Sequence, residues 1–72
     1  MTRVRKRSVS IRGHQTSFSL ESAFLEELSR MAAERAVPLA ALVAEIDAGR
    51  QRDTNLSSAL RVFVLQQAKA RR

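Results

Sequence analysis

The spacing of hydrophobic residues changes once, near residue 21. Before that point Phe18 and Leu20 alternate with Ser17 and Ser19, which suits a strand with one buried face and one open face. After it, apolar residues recur at the period of about 3.6 that is typical of an amphipathic helix. The sequence therefore predicts a short strand, at about residues 15–20, that runs directly into a helix.

Three helices follow the strand in this prediction. The first covers about residues 22–36 and ends before Pro38, because proline disfavours helix before it and suits a first helical turn. The second covers about residues 38–48 and stops at Gly49, and the third covers about residues 55–69. We therefore expect a mainly α-helical chain with one short β-strand.

The third predicted helix carries more apolar surface than a single stripe. Leu60 and Phe63 belong to the stripe, while Val62 and Leu65 widen it. Two interpretations stay open: the helix is deeply embedded in a dimer core, or one flank is left for a partner.

Residues 1–13 form a basic arm ahead of a domain that we place at residues 14–70. The arm has no acid, and its cations are Arg3, Arg5, Lys6, Arg7 and Arg12. Such segments lie along a phosphate backbone or stay solvated, and the sequence favours neither. We expect an extended arm with Gly13 as a hinge. The alternative is a second strand at residues 8–12 with a tight Gly13-His14 turn, which would widen a dimeric ribbon to four strands.

Size and composition narrow the class of protein. A chain of 72 residues makes one domain that buries little surface alone, so dimerisation is the expected means of stabilisation. The net charge of +6 favours a polyanionic partner, nucleic acid first. There is no cysteine, no apolar run that spans a bilayer and no signal-peptide core, so we expect a cytoplasmic protein without a membrane partner.

A lone strand has unpaired backbone groups, and a second copy of the chain is the simplest partner for it. The two copies would form an intermolecular two-stranded antiparallel ribbon, a shape that fits the DNA major groove. The side chains expected in the shared core are Phe18, Leu20, Phe24, Leu28, Leu42, Ile46, Leu60 and Phe63.

The order of these elements resembles the ribbon-helix-helix family of small bacterial DNA-binding dimers. The resemblance is carried by polar-Phe-polar-Leu at residues 17–20, the Glu- and Leu-rich helix that follows, and Leu39-Ala40-Ala41-Leu42-Val43. A subfamily with an additional third helix is closer still, through Gly13-His14-x-Thr16-Ser17 and Asn55-Leu56-Ser57-Ser58-Ala59-Leu60-Arg61. The resemblance implies an intertwined homodimer.

The family resemblance also implies site residues. Outward strand residues read bases, here Gln15, Ser17 and Ser19, and the N–H groups that open the second helix, at Leu39 and Ala40, hold a phosphate. His14 and the arm cations would add phosphate contacts. The chain departs from the family in two ways: its strand face lacks Arg or Lys, and its second helix opens on Pro38 without a Ser or Thr cap.

These observations predict a sequence-specific DNA-binding regulator, a repressor. One rival is an antitoxin, which would also neutralise a toxin through a C-terminal segment; such segments are often disordered before binding, so a folded third helix argues against it. The other is a protein-interaction module that has lost DNA reading, and a protein partner could bind at the third helix. No metal cluster, nucleophile constellation or phosphate-binding glycine loop is present in the sequence, so we expect no enzyme and no cofactor.

Overall fold

The computed structural model describes residues 3–71 and contains a hairpin followed by three helices. The elements are β1 (Val4–Ile11), β2 (His14–Glu21), α1 (Ser22–Glu34), α2 (Leu39–Ala48) and α3 (Leu56–Ala70). The two strands pair antiparallel in one sheet, and all three helices pack against it. The expected helices are therefore present, and they enclose the core between themselves and one face of the sheet.

The prediction of a single strand was wrong, because β1 lies where an extended arm was expected. It pairs with β2 from Ile11 opposite His14 to Val4 opposite Glu21. Two effects favour a strand here: Ile11 is buried in the core, and the ladder satisfies backbone groups that would otherwise lie unpaired. The ribbon that the structure describes is thus intramolecular, and both of its strands come from one chain.

The turn between the strands consists of Arg12 and Gly13. Their φ angles are +50° and +81°, as a two-residue type I′ turn requires. The turn therefore lies one residue earlier than the Gly13-His14 position of the alternative prediction, and this shift fixes which residues face each other across the hairpin.

The junction between α1 and α2 is a Schellman motif. The N–H of Val37 donates to the carbonyl of Ala32 at 3.0 Å, and the N–H of Ala36 donates to that of Ala33, also at 3.0 Å. Ala36 has a φ of +57°, in the left-handed region where glycine is usual. Val37 then packs against the core, so the chain turns sharply before Pro38.

The core is closed within one chain. Phe18 is 3% exposed and Leu20 is fully buried, although no second copy covers them. Of the eight side chains expected in a shared core, Leu28, Leu42 and Leu60 are buried as well. The other three, Phe24, Ile46 and Phe63, are partly buried against the same cluster. Within residues 3–71 no polar or charged side chain is buried.

One flank of α3 remains open. Val62 is 49% exposed and Leu65 is 56% exposed, and a groove of about 500 Å³ runs between α2 and α3 beside Val62 and Phe63. In the single chain this flank is uncovered, so both interpretations of this helix stay open. None of the helices described here has the length and apolar character needed to cross a membrane.

Candidate nucleic-acid interface

The hairpin has two faces of different character. Its inner face lies on the helices and includes the core residues Ile11, Phe18 and Leu20. The opposite face, which we call the outer face, follows from the cross-strand register. It consists of Val4, Lys6, Ser8, Ser10, Gln15, Ser17, Ser19 and Glu21.

The three residues predicted to read bases all belong to the outer face. Gln15 and Ser17 are exposed and Ser19 is half-buried. The hydroxyl of Ser17 lies 3.1 Å from that of Ser8 on the neighbouring strand, so the polar surface continues across the hairpin. Hydroxyl and amide groups both donate and accept hydrogen bonds, which suits them to base edges.

The basic residues of the expected arm do not lie together. Lys6 belongs to the outer face, whereas Arg5 and Arg7 lie opposite Leu20 and Phe18 on the inner face and are exposed. Arg12 occupies the turn, and Arg3 precedes β1. The exposed His14 pairs with Ile11 and so belongs to the inner face, away from Gln15.

Charge is unevenly divided between the hairpin and the helices. Residues 1–20 hold five cations and no acid, whereas residues 21–72 hold eight cations and seven acids. Helical arginines are paired with carboxylates, as in the contacts of Arg30 with Glu34 at 2.6 Å and of Arg61 with Glu21 at 2.8 Å. None of the hairpin cations forms an ion pair within residues 3–71. The hairpin is therefore the positive end of the molecule, as contact with a polyanion requires.

The start of α3 binds the free edge of β2. The backbone N–H of Ser19 donates to the hydroxyl of Ser57 at 2.9 Å, and the guanidinium of Arg61 contacts the Ser19 carbonyl at 3.4 Å. Arg61 also donates to the carboxylate of Glu21 at 2.8 Å. This hydrogen bond lowers the pKa of Glu21 and so favours its carboxylate form. The positive charge of Arg61 offsets the negative charge of the carboxylate at the margin of the outer face.

Sequence reasoning assigned no role to Ser57 and Arg61. Their spacing of four residues puts them on one side of a helix, and Asn55 fixes where that helix begins because its side chain accepts from the N–H of Ser58 at 2.8 Å. That signal was available in the sequence. The contact of this helix with β2 could not be predicted, because nothing local relates residue 57 to residue 19.

The start of α2 offers two backbone donors. The N–H groups of Ala41 and Leu42 both donate to the carbonyl of Pro38, at 3.0 and 3.3 Å. Those of Leu39 and Ala40 have no acceptor in the part of the chain that the structure describes, and no side chain caps the helix. These two donors, with the helix dipole, suit an anion.

The fold and this surface define a small domain with a net-positive β-hairpin, whose outer face is formed mostly by uncharged polar side chains. In residues 3–71, no three potential ligands among His, Cys, Asp and Glu come together in a way that could hold a metal ion. The model of the ribbon-helix-helix domain matches residues 4–68, and the chain belongs to this family. The family is a non-enzymatic DNA-binding fold whose members in general form dimers. No curated protein and no solved structure matches the chain.

Proposed function

We propose that this protein is a sequence-specific DNA-binding transcriptional regulator, a repressor, that inserts the outer face of its hairpin into the major groove. The observation that carries the proposal is the coincidence of polar, exposed side chains and unpaired positive charge on one hairpin of a ribbon-helix-helix chain. A regulator bound in this way would act by occupying its operator.

In this proposal, base reading and phosphate binding use different parts of the molecule. Gln15, Ser17 and Ser19 read base edges, with the amide of Gln15 suited to adenine. Phosphates are bound by side chains at the margins of the hairpin and by the start of α2. These groups are Arg3, Arg5, Arg7, Arg12, His14 and the N–H groups of Leu39 and Ala40.

We further propose that two chains dimerise through the free edge of β2. Antiparallel strands point their backbone groups alternately toward and away from the paired neighbour, and the N–H of Ser19 points away from β1 toward Ser57. The backbone groups of Gln15 and Ser17 have the same orientation and reach the same edge. A second copy pairing there would form a four-stranded sheet with β1 on each flank.

Selection of fragmented genomic DNA by the purified protein at physiological salt tests the function. We expect an inverted repeat that is lost in Ser17→Ala/Ser19→Ala and kept in the control Ser29→Ala, an exposed serine of α1. Retention without any motif that vanishes as salt rises would contradict base reading. It would favour a domain that binds through charge alone.

A second candidate function rests on the open flank of α3. The exposure of Val62 and Leu65 favours a protein partner, as an antitoxin would have. Co-expression with the product of each neighbouring gene tests this candidate. We expect a toxin to co-purify with the wild type and not with Val62→Ser/Leu65→Ser, while DNA selection is unchanged. Failure of every neighbouring product to co-purify would exclude an antitoxin of a gene pair.

A further inference from the structure

The outer face of the hairpin contains one cation, Lys6. The sequence predicted base-reading residues on β2 alone, whose outer side chains include no Arg or Lys, and placed Lys6 in a phosphate-binding arm. The register adds a second row of side chains from β1, and Lys6 lies directly opposite Ser19. We infer that Lys6 is a base-reading residue that recognises guanine, so that both strands of one chain contribute to specificity. The inference rests on the proposed function.

Lys6 and Ser19 form a closely spaced pair. Adjacent strands lie about 4.8 Å apart. The N–H of Ser19 is bonded to Ser57 and not to β1, so the Lys6–Ser19 pair is of the non-hydrogen-bonded kind, in which side chains approach more closely. The ammonium and the Ser19 hydroxyl can therefore reach neighbouring base edges.

The Lys6 ammonium has no competing carboxylate. The side chain is exposed and forms no ion pair within residues 3–71. Glu21 is the one acid on the outer face, and it is held by Arg61 at 2.8 Å. Guanine presents two acceptors, O6 and N7, in the major groove, and a lysine ammonium donates to both.

The reach of lysine fits the proposed dimer. In a four-stranded sheet each β1 would lie about 7 Å from the two-fold axis, one and a half strand spacings. The major groove is about 12 Å wide, so β1 would lie above the sugar-phosphate backbone that borders it. A flexible four-carbon stem can lean inward from there to the bases.

The test compares Lys6→Gln with Arg5→Gln in the same DNA selection. The two substitutions remove the same charge from neighbouring residues of β1, but Arg5 belongs to the inner face. We expect Lys6→Gln to lose the preference for guanine at one position in each half-site and to bind the wild-type site roughly 5- to 150-fold more weakly. Lys6→Arg should retain guanine there. Arg5→Gln removes a proposed phosphate contact, so it should weaken binding to all sequences alike and keep the whole motif.

Two results would overturn the inference, and they are distinguishable. A motif unchanged in Lys6→Gln, with affinity lowered equally for all sequences and a salt slope reduced by about one, would mean that Lys6 contacts phosphate only. Absence of any motif in the wild type would overturn base reading by the whole protein. Circular dichroism of each variant confirms that the fold is intact before selection.

Discussion

The hydroxyl of Ser57 accepts a 2.9 Å hydrogen bond from the backbone N–H of Ser19, and so one side chain of α3 occupies the free edge of the strand proposed to read DNA. Arg61 contacts the carbonyl of the same residue at 3.4 Å. The edge of β2 is therefore closed at Ser19 and open at Gln15 and Ser17. This relationship limits how a second copy can pair with the strand.

The register with the most available hydrogen bonds puts Thr16 of one chain opposite Thr16 of the other. Gln15 then faces Ser17 of the partner, twice, and the central pair is of the non-hydrogen-bonded kind with Cα atoms about 4.5 Å apart. That distance lies within disulfide range. The natural chain has no cysteine, so we expect Thr16→Cys alone to give a covalent dimer under mild oxidation, visible on non-reducing gels.

Two further variants sharpen this experiment. Ser10→Cys, at an exposed residue of β1, should give no covalent dimer under the same conditions. A dimer from Ser19→Cys in place of Thr16→Cys would show that Ser57 and Arg61 release the strand when two chains meet, and would contradict the register.

The ion pair between Glu21 and Arg61 makes stability depend on pH. The hydrogen bond from Arg61 lowers the pKa of Glu21 below its ordinary value, so the folded state favours the carboxylate. The stabilisation is therefore complete above the ordinary pKa and is lost as pH falls through the lowered one. We expect Glu21→Gln to have a smaller free energy of unfolding than the wild type at pH 7, with the difference closing in acid. Urea unfolding across this pH range measures the difference. In an Arg61→Met background, Glu21→Gln should have little effect on the free energy of unfolding.

The glycines of the chain should respond oppositely to alanine. Gly13 has a φ of +81° and open space around it, so Gly13→Ala is disfavoured by backbone conformation alone, by about 1–2 kcal/mol. Gly49 has a φ of −94°, and a methyl group there would meet only the carbonyl of Ile46 at 3.9 Å. We expect Gly49→Ala to be neutral or to stabilise by up to about 1 kcal/mol. Thermal unfolding of both variants measures these effects, and a Gly13→Ala variant as stable as the wild type would contradict the type I′ turn.

Ala36 is a position where glycine should stabilise the fold. Its φ of +57° is unfavourable for a residue with a Cβ, and relief of that strain outweighs the entropy that glycine costs. We expect Ala36→Gly to raise the free energy of unfolding by about 0.5–1 kcal/mol. The control Ala33→Gly, at an exposed helical position of α1, should lower it by a similar amount. Denaturant unfolding of the two variants compares them; destabilisation by both would contradict the Schellman motif.

Local patterning was sufficient to predict the helices and β2. The 3.6-residue period, Pro38 and the Asn55 cap each act within a few residues, so their effects are legible in the sequence. The three helices were predicted for this reason, and the family resemblance agrees with the match over residues 4–68.

The partner of β2 could not be decided in the same way. Alternation at Val9 and Ile11 indicated a possible second strand, but the run of basic residues before it favoured an extended arm. Burial of Ile11 at 6% exposure and a complete ladder outweigh the cost of ordering those residues. The contribution of Lys6 to the outer face depends on the turn at Arg12-Gly13, whose placement fixes the residues that face each other across the hairpin.

The alternation along β2 separates two selective pressures on adjacent residues. Phe18 and Leu20 face the core, while Ser17 and Ser19 belong to the opposite face. Substitutions of the outer serines leave the packing of the core intact, so a duplicated gene could acquire a new operator by changing them while its product continues to fold. Divergence of regulatory targets among descendants of this chain would then be recorded at Ser17 and Ser19, with Phe18 and Leu20 held constant.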